Sequence, residues 1–460
     1  MAGKRMGQQI GPTADYCPTR RQWLGRLSGG IVGALCADWL RAETLTPRAK
    51  GRPDRSVILI FNCGAPSHID LWDPKPDSPA AIRGLYRPIA TNVPGIQFSE
   101  LLPRMAARAD KLAIVRTVHH EHASHNSGMY WSIVGRPYPV DSTLIHPSRT
   151  DFPSFGTLTG WLAQRDGYSG ALPPYVITPQ PHCDSLVYVT PGQYGSCLGS
   201  RFDPLVLNSN PNAEQFQVPD ISLAEGMSSE RFQQRQKLLE HLEQNGRPIR
   251  SEQIADVDVN RGKALRLVMS GESRKAFDLS SEPAKVRERY GRHTWGQSHL
   301  LARRLVESGV RFVTTVNGPS IIWDTHKDNF NRLEKQLVPP MEQAYAALLD
   351  DLDERGLLDS TLVVWMGDFG RSPVINKDAG RDHWPGCYTM VLAGGGIRGG
   401  QVVGQSDKHG AAPERRPLRP ADIHATVFSA LGYNSRAITY RTVDGRPVPL
   451  SEGEPIGELL

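Results

Sequence analysis

Val57-Ile58-Leu59-Ile60-Phe61, running straight into Asn62-Cys63-Gly64-Ala65-Pro66-Ser67-His68-Ile69-Asp70-Leu71-Trp72-Asp73, decides the fold. An unbroken apolar run rich in β-branched residues suits a strand covered on both faces, as in a parallel sheet. The polar stretch behind it falls where such sheets bind ligands, beyond the carboxyl ends of their strands. The same grammar recurs at Leu112 to Val118, Tyr175 to Thr178, Arg311 to Val316, Thr361 to Met366 and Tyr388 to Leu392. Helical stretches lie between. Ser127 to Val134 is short and amphipathic, and Val286 to Ser308 is long and stopped by Gly309. Phe330 to Glu354 must kink or restart at Pro339-Pro340, and Asp422 to Leu431 closes at Gly432. Strands alternating with helices predict an α/β fold, a doubly wound and mostly parallel sheet with helices on both faces. Residues 180–260 are richer in Pro, Asn, Ser and Gln, which predicts a loop-rich insertion or lid.

The 460 residues are ample for a large core. Basic residues number 53 and acidic ones 48, a net +5 with no block of like charge, which argues against nucleic acid as a partner. Fibrous, disordered and multi-span membrane classes are excluded. Near the start, Thr19-Arg20-Arg21-Gln22-Trp23-Leu24 resembles a twin-arginine export signal. The apolar run behind it, Gly29 to Ala37, is shorter than the ~20 residues of a membrane span. Residues 1–45 are therefore expected to be an export signal and linker handled by the twin-arginine translocase, and 53–460 the folded domain. The protein is then exported, periplasmic or extracellular, with no stable membrane span. In an oxidising compartment Cys183 and Cys197 are close enough to bridge a loop.

The segments just past the strands carry the chemistry. His68 and Asp70 lie after the first strand, and His119, His120, Glu121, His122 and His125 after the second. Asp324 and His326 lie beyond the Arg311–Val316 strand, and Asp368, Arg371, Arg381, Asp382 and His383 beyond Met366. Half of the 14 histidines fall in these four segments, each with an acidic neighbour. Imidazole and carboxylate are the donors that bind zinc, manganese and similar ions. The i, i+2 spacing of Asp324 and His326 puts both on one side of an extended segment. Arg371 and Arg381 suit an anionic substrate, because guanidinium matches phosphate and sulfate geometry. The glycines at 394–396 come after a strand but lack the Lys-Ser/Thr of a phosphate-cradling loop. His409 and His424 read as structural.

Several of these motifs together resemble a known family. Pro66-Ser67-His68-Ile69-Asp70 with Asp73-Pro74-Lys75-Pro76, Trp323-Asp324-Thr325-His326, and Phe369-Gly370-Arg371-Ser372-Pro373 with Gly380-Arg381-Asp382-His383-Trp384 resemble the exported domain-of-unknown-function family 1501. The segment ending Ile133-Val134-Gly135-Arg136-Pro137-Tyr138-Pro139, the strand end Met366-Gly367-Asp368-Phe369-Gly370 and Asp422-Ile423-His424-Ala425-Thr426 are similar to alkaline phosphatases and sulfatases. The resemblance spans residues 53–435 and implies an alkaline phosphatase-like fold. It also implies hydrolysis of phosphate or sulfate esters, small-molecule or polysaccharide, at one or two divalent ions such as zinc, manganese or calcium. By position, Asp324, His326 and His383 match one metal site and Asp368 the other. Cys63 stands where the superfamily has Asp, and Phe369 where it has His. The nucleophile position, ten residues before Gly135, holds His125. The expected catalytic group is therefore His125, with Ser124 and Ser127 beside it, and His68, Asp70 or His122 as replacement ligands. The rival expectation is an extracytoplasmic binding or structural protein that keeps the fold without catalysis.

Overall fold

The computed structural model describes residues 55–185, 187–218 and 252–460, with a few positions between 230 and 241. The expected export signal lies outside the described residues. Eight strands make the central sheet: β1 (Ser56–Asn62), β2 (Leu112–Val118), β3 (Tyr175–Thr178), β4 (Leu205–Val206), β5 (Phe312–Asn317), β6 (Thr361–Gly367), β7 (Tyr388–Gly394) and β8 (Gln401–Val403). Their order across the sheet is β8-β2-β7-β6-β1-β5-β3-β4. β1 sits mid-sheet, parallel to β6 on one side and β5 on the other, with Ser56 to Asn62 in register with Thr361 to Gly367. The expected doubly wound α/β sheet is what the chain forms.

Both faces of β1 are covered, which is why its sequence shows no polar alternation. Val57, Leu59 and Phe61 pack with α1 (His125–Val134), α2 (Phe155–Arg165) and α6 (Pro420–Ala430) through Met129, Leu158 and Val427. Ile58 and Ile60 pack on the other face with α4 (Thr294–Glu307) and α5 (Val338–Glu354) through Leu301, Met341 and Tyr345. Each such aliphatic side chain contributes ~1.5–3 kcal/mol on burial.

The structure corrects four expectations. β7 runs antiparallel to both β6 and β2, so the sheet is mixed, because a buried apolar run does not encode its direction. The helix expected over 286–308 is two, α3 (Ala284–Tyr290) and α4, parted at Gly291 (φ +96°), where the Gln297 amide donates to the carbonyls of Gly291 and Arg287. α1 is buried on every side rather than amphipathic, since it is sandwiched between sheet and loops. Among the described residues Cys183 and Cys197 form no disulfide. Pro339-Pro340 behave as anticipated, opening α5 in its first turn after a π-helical segment at Leu333–Leu337. Within the 180–260 region, Leu205–Val206 forms the edge strand β4.

Candidate metal centre

Four strand ends meet at one rim. β1 delivers Cys63, Gly64 and Ala65; β2 leads through His120 into α1, which begins with His125; β5 leads to Asp324 and His326; β6 is followed directly by Asp368. Gly64 permits the convergence. With φ +104°, a Cβ there would sit 2.6 Å from the Asp324 amide nitrogen and from the Ile321 carbonyl oxygen. A two-residue ladder pairs Gly370–Arg371 with His383–Trp384 and brings His383 to the same place.

One atom is the focus. Asp324 Oδ1 lies 3.5 Å from His125 Nε2, 3.2 Å from His326 Nε2, 3.4 Å from His383 Nε2 and 2.6 Å from Arg371 Nη2. His326 Nε2 and His383 Nε2 are themselves 2.9 Å apart. Burial works against a charged Asp324, but contacts from His125 and His383 and the Arg371 guanidinium outweigh it, holding the carboxyl far below the usual range.

The other nitrogen of each imidazole is tied to an oxygen that only accepts. His125 Nδ1 meets Asp368 Oδ2, His326 Nδ1 donates to Asp382 Oδ1 at 2.7 Å, and His383 Nδ1 donates to the Ala123 carbonyl at 2.6 Å. Each Nδ1 therefore carries the proton, and each Nε2 presents a lone pair toward a carboxylate oxygen. Three acceptors around an anion require a cation or protons. His125 Nε2 is buried with no hydrogen-bond partner, and Asp324 Oδ1 faces the three imidazoles with the Arg371 guanidinium beside it. Donor atoms of His125, Asp324 and His383 lie within 4.8 Å of one another, the span of a shared coordination sphere. Without a metal the protein answers with a proton. Burial alone would lower His125, yet the Asp368 carboxylate and the contact with Asp324 raise it to about 9.

A further ring of groups holds these donors. Asp368 is wholly buried, and its Oδ1 accepts from the amides of Gly64 (3.1 Å) and Ala65 (2.6 Å). Its carbonyl oxygen accepts from Ser132 Oγ at 3.0 Å and from His120 Nε2 at 2.7 Å. Burial lowers His120 to about 4, which keeps that ring neutral. The Phe369 ring stacks on His125 with centroids 5.0 Å apart. Cys63 is fully buried and its thiol is pushed well up by burial, so it stays neutral.

The structure brings His125, Asp324, His326, His383, Asp368 and Arg371 together, but in different parts from those expected. His125, expected to attack, joins the donor set. Asp368, expected to hold a second ion, backs His125. Arg371 is buried and donates to the carbonyls of Gly64, Ala65, Trp323 and Arg381, acting as a fixed counter-charge rather than a substrate hook. The remaining expected residues stand outside the cluster. Arg381 spends its donors on Asp70 (2.7 and 2.9 Å) and the carbonyls of Ile82, Ser372 and Pro373, so neither Arg381 nor Asp70 is left for a ligand. His68 Nε2 pairs with the Gly410 carbonyl at 2.8 Å, and His122 packs edge-on to Trp131. Ser124 takes the N-cap position of α1. Its amide and the Ser127 hydroxyl both donate to Asp141 Oδ1, at 2.9 and 2.7 Å. Sequence reasoning missed Asp382 as the partner of His326. The available signal was its alternation with Arg381, which points the other way along an extended segment. Nothing in the spacing marks Asp141.

No curated protein matches the chain. The profile of a family described as "Protein of unknown function (DUF1501)" matches residues 54–460. Among solved structures the chain is similar to the PsFucS1 sulfatase from Pseudoalteromonas sp., with 15% identity and a TM-score of 0.37 over 96% of this chain and 75% of that one. It is similar to the phosphonate monoester hydrolase SpPMH from Silicibacter pomeroyi, with 12% identity and TM-score 0.37 over 88% and 78%. A Vibrio parahaemolyticus protein of the alkaline phosphatase superfamily gives 9% identity and TM-score 0.36 over 85% and 69%.

Proposed function

The chain belongs to that DUF1501 family, and we propose that it is an exported hydrolase of sulfate or phosphate esters working with one divalent ion, its folded domain spanning residues 53–460. The observation that carries the reading is the trio of Nε2 lone pairs turned on Asp324 Oδ1, with every Nδ1 engaged by an oxygen. His125, Asp324 and His383 would hold the ion. Imidazole nitrogens with one carboxylate suit zinc and leave a coordination position open, whereas calcium asks for six to eight oxygens. A second ion has no support at Cys63 or Phe369, and the buried Arg371 guanidinium supplies the second positive charge instead.

When bound, the ion supplies Lewis-acid stabilisation of the ester's developing negative charge and makes water more acidic. The chain's own residues do the rest. Asp368 fixes the His125 tautomer and orientation, and Arg371 keeps Asp324 ionised. His326, the most exposed imidazole of the cluster at 41%, has Nδ1 held by Asp382 and Nε2 facing inward, placed to move a proton at that nitrogen. Asp324, His326 and His383 are all partly exposed, which gives an anionic ester its approach. No described helix is long and apolar enough to cross a membrane.

The test is metal content and turnover on the native full chain. Wild type should carry close to one ion and cleave an aryl sulfate or phosphate; Asp324→Asn should lose both. Cys63 and Phe369 at expected ligand positions, and His125 at the expected nucleophile position, favour a second reading, a non-catalytic metal-bearing binding protein. One ion per chain without turnover on a broad ester panel would establish it. No ion in wild type would sink both.

A further inference from the structure

Along the same sheet edge, beyond β3, β4 and β5, lies a cavity of about 380 Å³ that the hydrolase reading does not use. Its walls include Gln180 after β3, Asn208 and Asn210 after β4, Gly318 after β5, and Thr294 and Trp295 at the start of α4. No charged side chain is among its described lining residues. Trp295 is half-buried, its ring stacked on the buried Trp323 with centroids 6.0 Å apart and planes 20° apart. A left-handed backbone (φ +44°) fixes Asn208. Two more uncharged groups stand next to the walls: Asn317, directly before Gly318, and His299, one helical turn after Trp295. Asn317 and His299 are both fully buried, and His299 interacts with the Asn317 side chain and the Ala344 backbone. Burial lowers His299 to about 4, so it stays neutral.

We infer that this cavity is a binding subsite for a neutral sugar ring. An uncharged wall offers no counter-charge to an anion or a cation. Carboxamides and a threonine hydroxyl both donate and accept, as hydroxyl-rich ligands require. A held indole offers a broad apolar surface to the C–H face of a pyranose while its N–H remains polar. The volume lies at the small-molecule end of ligand sites. The loop that forms the Gly318 wall runs on to Asp324, pinned on the way by the Trp323 amide donating to the Cys63 carbonyl at 3.0 Å. A ring bound here sits at the other end of that loop from the metal centre. Its role as the alcohol part of the ester rests on the hydrolase reading; its binding does not.

Saturation-transfer NMR and calorimetry on the full chain, with lactose, cellobiose, maltose and p-nitrophenol as probes, test the assignment. At least one disaccharide should bind with a Kd of ~0.1–10 mM, equally with chelator and in Asp324→Asn. Trp295→Ala should weaken it at least tenfold. Asn208→Gly, which keeps the left-handed turn, should also weaken it and guards against a packing failure at Trp295. Three results overturn the proposal: no disaccharide bound at about 50 mM, binding that survives both substitutions, or binding of p-nitrophenol alone. Sugar binding without ester turnover by wild type would sink only the hydrolase reading, and turnover without sugar binding only the subsite.

Discussion

Replacing Asp368 with asparagine keeps the shape of the side chain but reverses the chemistry behind His125. The amide oxygen still accepts from Gly64 and Ala65, at 3.1 and 2.6 Å in the wild type. The new NH₂ donates to His125 Nδ1, which moves the imidazole proton to Nε2 and turns a metal donor away from the metal. Metal affinity should fall ~10–100-fold. The metal-free protein reports the same coupling through pH. His125 rises from its ordinary 6.5 to about 9, chiefly because the Asp368 charge overrides burial. At 1.36 kcal/mol per pH unit that rise is worth about 3 kcal/mol. The folded pKa lies above the unfolded one. The stabilisation is therefore complete below pH 6.5, declines between 6.5 and 9, and is gone above 9. Urea unfolding of chelator-treated wild type should lose about 3 kcal/mol across that window, and D368N should lose much less. Metal binding to wild type displaces the same proton, so apparent affinity should rise about tenfold per pH unit there. A flat wild-type profile, or D368N binding zinc as tightly as wild type at pH 7.5, would refute the reasoning.

Other perturbations separate the parts of the site. Gly64→Ala places a methyl against the Asp324 amide in a left-handed backbone and should cost ~3 kcal/mol or more, read by thermal unfolding; a stable variant with a full ion complement would contradict the packing. Arg381→Met strands the Asp70 carboxylate in the interior and should cost ~3–5 kcal/mol, while the surviving folded protein keeps its metal, because Asp70 lies outside the donor cluster. Changing Arg20 and Arg21 together to lysine should retain the protein in the cytoplasm, as tracked by cell fractionation; unimpaired export would remove the twin-arginine reading.

The strands were legible because a strand covered on both faces writes an uninterrupted apolar run, as Val57 to Phe61 does. The direction of β7 was not, since Tyr388 to Leu392 would read the same either way round. The gathering of Asp324, His326 and His383 at one rim came from the rule about strand ends. The roles within the rim did not, because each role is set by a partner remote in sequence. His125 turns its Nε2 toward Asp324 because Asp368, 243 positions away, engages its Nδ1. Arg371 and Arg381 look alike in the motif, yet Arg371, inside the two-residue ladder, ends on the Asp324 carboxylate, while Arg381, in the loop before its second strand, ends on Asp70.

Arg371 also gives the rim a permanence that exchangeable ions lack. Its guanidinium is bound to the backbone of two loops at once and cannot be washed out. If the rim holds an ion as proposed, stripping it with a chelator would remove mobile charge only, and the stripped rim would stay more attractive to anions than its carboxylates alone would make it.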